Sequence, residues 1–329
     1  MKRWARATTA VAAIALAASC SGNADDATGE TDGAAPGFPL VITDAAGKEH
    51  TFDAPPRIGC IWFGCIESMA DMGIAPAAHS APEQFHNAFN FPAGPSEHQV
   101  EDSSSAEQWA MAEVDVLITR VPESPEDAAL EQAAPVFYLH HPSYGDSTET
   151  GIDAYYENMR IMGELTGEPD AAQEAIDRYE ATVAALEQAA PEGAADTTVA
   201  PIFGGSEGYY LSGSENPFCD VLASNELGRC VDAETGEMNG EAFLALQPDW
   251  IAFMTDFGNE PTRDDPVWGR LDAVRDGNVY AAQTRIYCCS LRGLTHALQE
   301  YGHTVWGEEA GIPAPGKLDD FDPATDAIR

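Results

Sequence analysis

Apolar residues recur at three- and four-residue spacing through Ile152, Tyr155, Tyr156, Met159, Met162 and Leu165, the period of a helix with one buried face. Asp146, Ser147 and Thr148 supply capping side chains ahead of it, and Gly167 with Pro169 ends it. Such a helix of about 17 residues is a rod of roughly 25 Å, about the width of a small domain. A second helix follows almost at once. Asp170 is placed to cap it, Ala172, Ile176, Tyr179, Val183 and Leu186 keep the period, and Pro191 and Gly193 stop it.

Strands and helices alternate on both sides of this pair. Upstream, Leu40–Thr43 and His50–Phe52 flank a turn at Asp44–Lys48 and read as a hairpin. Then come a strand at Arg57–Phe63, a helix at Gly64–Met72 and a strand at Ile74–His79. The segment from Pro82 to Pro95 is irregular and aromatic. Helices at Ser104–Ala112 and Glu126–Ala134 alternate with strands at Val114–Thr119 and Val136–Leu139. Downstream, strands fall at Thr198–Phe203, Trp250–Met254 and Val279–Ala281. Helices fall at Asn216–Leu227, Glu241–Leu246, Trp268–Val274 and Leu291–Glu308. Apolar strands alternating with helices predict mostly parallel, covered sheets.

The two halves share a detail. Glu107 and Asp115 are eight apart, as are Glu241 and Asp249, and the pairs are offset by 134 residues. In each copy a short helix leads into an apolar strand, so duplication explains the match better than coincidence does. The expectation is therefore an α/β protein of two similar lobes with mostly parallel sheets, joined by a single long helix, with a ligand cleft between them. The boundaries are 39–145 for the first lobe, 146–168 for the linking helix, 169–315 for the second lobe and 316–329 for an acidic tail. Helix spacing alone also fits one larger α/β domain with an ordinary crossover helix.

The N-terminus stands apart. Lys2, Arg3 and Arg6 precede a short apolar run, Ala10–Ala18, which ends in Leu16-Ala17-Ala18-Ser19-Cys20. The run is too short to span a membrane as a mature helix. It looks like a lipoprotein signal over 1–19, cleaved to leave a lipidated Cys20; a plain secretory signal with an incidental cysteine is the alternative. Residues 20–38 read as a flexible tether. The expected product is exported and held at the outer face of the cell membrane by palmitate-type acylation alone.

Charge narrows the partners. Without residues 1–19 the chain keeps 13 basic against 55 acidic side chains, a balance of −42, and Lys48 and Lys317 are its lysines. A surface so acidic excludes nucleic acid as a partner, because phosphate backbones are held by Lys and Arg. It is compatible with a saline habitat. Six cysteines remain besides Cys20; six thiols allow 15 pairings. Cys219 with Cys230, flanking a helix, is the leading pair. Cys60 with Cys65 and Cys288 with Cys289 are weaker pairs, and a soft metal site is the chemical alternative.

Taken in order, these features resemble the substrate-binding lipoproteins of bacterial ABC importers for ferric siderophores, haem and cobalamin. The residues that carry the resemblance are the lipobox at Cys20, Ile42-Thr43-Asp44 with Gly47, and Pro55-Pro56-Arg57-Ile58. With them go the two Glu…Asp segments and the stretch from Trp268 through Leu271, Ala273-Val274 and Gly277 to Val279-Tyr280. The resemblance covers residues 40 to about 310 and implies two α/β lobes, binding rather than turnover, and no cofactor beyond the chelate carried. Its implied partners are an ABC permease with its ATPase, acting on a monomeric binding protein. A ferric hydroxamate is favoured, since a tri-anionic catecholate would want a denser basic cluster; haem, cobalamin and a metal ion or small chelate stay open.

In such a fold, ligand residues follow the C-terminal ends of strands. That places Trp62, Phe63, Arg120, His140 and His141 at the cleft from the first lobe, and Tyr209 or Tyr210, Phe257, Arg285 and Tyr287 from the second. Each has a packing alternative, and alternation lets only one of Tyr209 and Tyr210 face the ligand. Acidic residues for permease docking are Glu123 or Glu126 and, in the second lobe, Glu260. A rival enzyme reading takes Gly204-Gly205-Ser206-Glu207-Gly208 as an exported serine hydrolase's nucleophile turn, but that turn needs a helix directly after the serine. A third reading is a lipoprotein receptor or sensor that serves no importer.

Overall fold

The computed structural model describes residues 35–80, 98–121, 123–141, 151–204, 208–214, 216–254, 266–282 and 290–314. The chain opens with an antiparallel hairpin, β1 (Leu40–Thr43) and β2 (Glu49–Phe52), in which Leu40 faces Phe52 and Thr43 faces Glu49. Asp44 holds its turn by accepting from the Ala46 and Lys48 N–H groups at 3.0 and 2.8 Å.

The first lobe is a five-stranded parallel sheet. Its strands are β3 (Ile58–Cys60), β4 (Ala78–His79), β5 (His98–Gln99), β6 (Val116–Arg120) and β7 (Val136–Leu139), in the order β5-β4-β3-β6-β7. Between them run α1 (Phe63–Asp71), α2 (Ala106–Met111) and α3 (Asp127–Leu130). Alternation along the strands sends side chains into two layers. Val116, Ile118, Phe137 and Leu139 face α1 and the centre of the molecule, while Leu117, Val136 and Tyr138 face Trp109 of α2.

Two helices then cross the middle, α4 (Ile152–Thr166) and α5 (Pro169–Ala189). Gly167 ends α4 at φ 75°, the left-handed turn expected of it. The starts differ from expectation. Gly151 precedes α4 with no side-chain cap, and residues 142–150, with Asp146, Ser147 and Thr148, lie outside the described part. Glu168, not Asp170, stands at the N-cap of α5, because Pro169 at N1 already fixes the helical φ and Asp170 falls inside the first turn. The two helices pack closely at Gly163, where a Cβ would come within 2.6 Å of the Ala172 Cβ.

The second lobe holds β8 (Thr198–Gly204), β9 (Tyr209–Leu211), β10 (Arg229–Cys230), β11 (Gly236–Met238), β12 (Trp250–Met254) and β13 (Val279–Ala282). The sheet order is β11-β9-β8-β12-β13, with β10 beside the start of β8; the β9 and β11 pairings are antiparallel. Its helices are α6 (Pro217–Ser224), α7 (Gly240–Leu246) and α8 (Asp272–Asp276), and α9 (Leu291–Trp306) closes the fold. The strand read over Ile74–His79 narrows to β4, and the helix read over Glu126–Ala134 narrows to α3. That read over Trp268–Val274 splits into a 3-10 turn at Trp268–Arg270 and α8. Two-residue strands such as β5 and β10 are too short to show a period, so the pattern did not reveal them.

The duplication is visible in atoms. Asp115, just before β6, accepts the Arg57 N–H next to β3 at 2.7 Å. Asp249, just before β12, accepts the N–H of Thr198 at the start of β8 at 2.8 Å and its hydroxyl at 2.7 Å. The same 134-residue offset relates the helix caps Ser105 and Asn239, the fully buried rings Trp109 and Phe243, and the left-handed residues Glu113 and Gln247. The repeated unit is thus a capped helix, a tight turn and a carboxylate that seals the start of the neighbouring strand.

Candidate functional site

The C-terminal end of the first sheet is where chemistry collects. Beyond β3 the backbone stays tied to its neighbours: the Ile61 N–H donates to the Ile118 carbonyl at 2.9 Å, and Ser80 Oγ donates to the Ile61 carbonyl at 3.2 Å. Trp62 then begins α1 as an N-cap without a side-chain cap bond. A disulfide between Cys60 and Cys65, with Cα atoms 5.5 Å apart, clamps the strand end to the first turn of the helix. Trp62 therefore sits in a short, doubly anchored step. The other disulfide among the described residues is Cys219–Cys230, as expected, tying α6 to β10; Cys288 and Cys289 lie outside them.

Arg120 ends β6, half-buried. His140 and His141 follow β7, and the backbone there is gripped by the linking helix: Asn158 of α4 accepts the His140 N–H and donates to its carbonyl, both at 2.8 Å. The rings of Trp62 and His141 lie 5.7 Å apart between centroids, tilted by 33°. Burial, and then the Arg120 charge, push the His141 pKa down to about 3, so the imidazole is neutral at physiological pH and offers one donor and one acceptor. Trp62 is 8% exposed, and half-buried Phe63 packs against the same central core. The wall is thus a half-buried neutral imidazole and one half-buried guanidinium, backed by the buried indole of Trp62; the imidazole can stack on a flat chelate and the guanidinium can neutralise part of its charge.

Tyr209 and Tyr210 part company. Tyr209 is 2% exposed and packed against Phe243 and Trp268, so it belongs to the core. Tyr210 is on the opposite face, half-buried and stacked on Phe203 with centroids 4.5 Å apart. Phe203 was not singled out from the sequence; its place at the end of β8, before a glycine-rich turn, was the signal available. Phe257, Arg285, Tyr287 and Glu260 lie outside the described residues, as does Cys20. Glu123 and Glu126 are exposed on the loop after β6. Asp127 shapes that loop by accepting the Ser124 N–H at 2.7 Å. Ser206 is not among the described residues, but the segment that follows is a strand, β9, and not the helix a hydrolase turn requires.

A groove of about 420 Å³ lies elsewhere, between β2 and Glu131 and Pro135. Pro135 precedes β7, so this groove is at the N-terminal end of the sheet, away from Trp62 and His141, and the Lys48–Glu131 ion pair crosses its rim. No group of three or more His, Cys, Asp or Glu side chains able to hold a metal ion occurs among the described residues.

Residues 75–285 match the sequence profile of the periplasmic binding protein family. The chain belongs to that family. It is a binding protein of extracytoplasmic type and not an enzyme, and no helix among the described residues is long and apolar enough to cross a membrane. Solved structures share the family's two-lobed fold. The triscatecholate siderophore binding protein FeuA from Bacillus subtilis, complexed with ferri-bacillibactin, aligns at 16% identity over 81% of this chain and 98% of its own, with TM-score 0.66. An ABC-type Fe3+-hydroxamate transport system protein from Saccharomonospora viridis aligns at 22% identity over 82% and 99%, with TM-score 0.59. The iron uptake ABC transporter substrate-binding protein PiuA from Streptococcus pneumoniae aligns at 12% identity over 80% and 98%, with TM-score 0.62. No curated protein matches the chain by sequence.

Proposed function

We propose that this periplasmic binding protein captures a ferric chelate, a hydroxamate siderophore first among them, and delivers it to an ABC permease and its ATPase. The observation that carries the reading is the Trp62, His141 and Arg120 wall at the C-terminal end of a parallel sheet, braced by the linking helix. Such a wall favours a flat or bulky guest of low charge: the His141 ring, backed by buried Trp62, provides contact area, and Arg120 provides one positive charge in a strongly acidic protein. A tri-anionic catecholate would meet an unfavourable field there. In this reading Phe203 and Tyr210 face the guest from the second lobe, with Phe257, Arg285 and Tyr287. Glu123 or Glu126 and Glu260 dock the permease, and a lipidated Cys20 tethers the protein to the outer face of the membrane.

The test is tryptophan quenching, corrected for ligand absorption, with a ferric trihydroxamate, a ferric tris-catecholate, haem, cobalamin and free ferric ion. The hydroxamate quenches saturably, and Arg120→Ala weakens it about tenfold, the loss of one charge-assisted contact of about 1.4 kcal/mol. A flat response to the whole panel overturns the reading, and saturable binding of another member alone replaces the ligand class.

A further inference from the structure

Helix α1 carries Trp62 at one end, and on the face one turn apart it presents Phe63, Glu67 and Asp71. Glu67 and Asp71 are 1% and 6% exposed. Two carboxylates at i and i+4 repel one another on a helix, and burying them is expensive unless other groups answer. The answers come from outside the first lobe. Ser290, 2% exposed, is the N-cap of α9; its hydroxyl donates to Glu67 Oε2 at 2.5 Å and accepts the Gly293 N–H at 3.1 Å. Arg178 of α5 donates to the Asp71 carbonyl at 2.8 Å and lies 3.7 Å from its carboxylate. Arg292 of α9, 1% exposed, adds its charge to the same cluster. An apolar seam between α1 and α9 would cost less to bury. A polar one favours a single register, because the Ser290 hydroxyl and the Arg178 guanidinium each meet one particular acceptor on α1.

We propose that Glu67 is a positioning residue for ligand binding: through Ser290 it fixes helix α1, and with it the Trp62 wall, against α9 and hence against the second lobe. The proposal rests on the binding function above. One hydroxyl serves both the cap of α9 and the tie to α1, so any change in the angle between the lobes that separates these helices must break the Glu67 bond. The joint thereby holds the two ligand-bearing faces in one mutual orientation before a guest arrives, which lowers the cost of binding.

The test uses the full chain with Glu67→Gln, which keeps the shape and an acceptor oxygen, and Glu67→Ala, which removes both. Hydrogen exchange is measured without ligand, and association and dissociation rates with the ferric trihydroxamate. Glu67→Ala speeds exchange at Gly293 and Leu294 at least tenfold while β6 and β12 stay protected. It speeds dissociation about tenfold with association unchanged, and Glu67→Gln falls between it and the wild type. Should Glu67→Ala not fold, Glu67→Gln alone decides, by a partial change in the same two readouts. Unchanged dissociation in either folded variant overturns the proposal, as does exchange that rises equally through both sheets, the mark of a purely structural role. A wild type that binds no chelate in the panel instead defeats the binding function, whereas bound wild type with indifferent variants defeats only the joint.

Discussion

Asp71 and His141 respond to pH in opposite directions. Burial, only partly offset by Arg178 and Arg292, raises the Asp71 pKa from 3.8 to about 6. The folded protein therefore holds that proton more tightly than the unfolded chain does, and stability falls as pH rises from about 4 to 6, by about 3 kcal/mol for a shift of that size. His141 is the reverse. Its pKa drops from 6.5 to about 3, so the unfolded chain takes up the proton first, and stability is lost as pH falls below 6.5. Urea unfolding at pH 4, 5, 6 and 7 separates the two: relative to Asp71→Asn the wild type loses stability across that range, and relative to His141→Gln it gains. Equal slopes in wild type and variant would show that the group is not perturbed. Packing sets a third residue. A Cβ on Gly228 would stand 2.3 Å from the Tyr301 hydroxyl, which donates to the Leu227 carbonyl at 3.0 Å. Gly228→Ala thus breaks that bond, and we expect a loss of about 2 kcal/mol or more in urea unfolding.

Among elements, the repeated helix–turn–strand unit carries the clearest expectation. Asp249 accepts two donors from Thr198, whereas Asp115 accepts one from Arg57. At about 1 kcal/mol per bond, Asp249→Ala should cost roughly twice what Asp115→Ala does in denaturant unfolding; equal losses would mean the carboxylates do not act as strand caps. This unit was legible because its parts are local. The helix period, the turn and the acidic residue all fall within about a dozen residues, so spacing alone revealed the offset. The start of α4 was not legible in the same way, since Asp146, Ser147 and Thr148 promised a cap and the helix instead begins after Gly151. Capping residues bias a helix start by about 1 kcal/mol, less than the packing of Ala154 and Tyr155 into the core supplies.

The whole molecule is dominated by its charge. The formal balance is −39, and the exposed ion pairs among the described residues, such as Lys48–Glu131 and Arg270–Glu241, are worth at most about 1 kcal/mol each. Self-repulsion outweighs them. Raising salt from about 0.05 to 1 M shortens the screening length to about 3 Å, so the melting temperature should climb with sodium chloride. A midpoint indifferent to salt would show that the acidic surface does not strain the fold. The alternation of strands and helices and the strand ends were readable in the linear chain, because burial imposes periods of 2 and 3.6 on it and strand ends in parallel sheets are natural ligand positions; the family was readable only through the resemblance of its motifs. That Tyr209 joins the core while Tyr210 stacks on Phe203, that Asn158 grips His140, and that Glu67 meets Ser290 were decided only by the fold. Those partners are 18 and 223 residues apart; no local period encodes them, and the chain brings them together only once the lobes and the helices between them have packed.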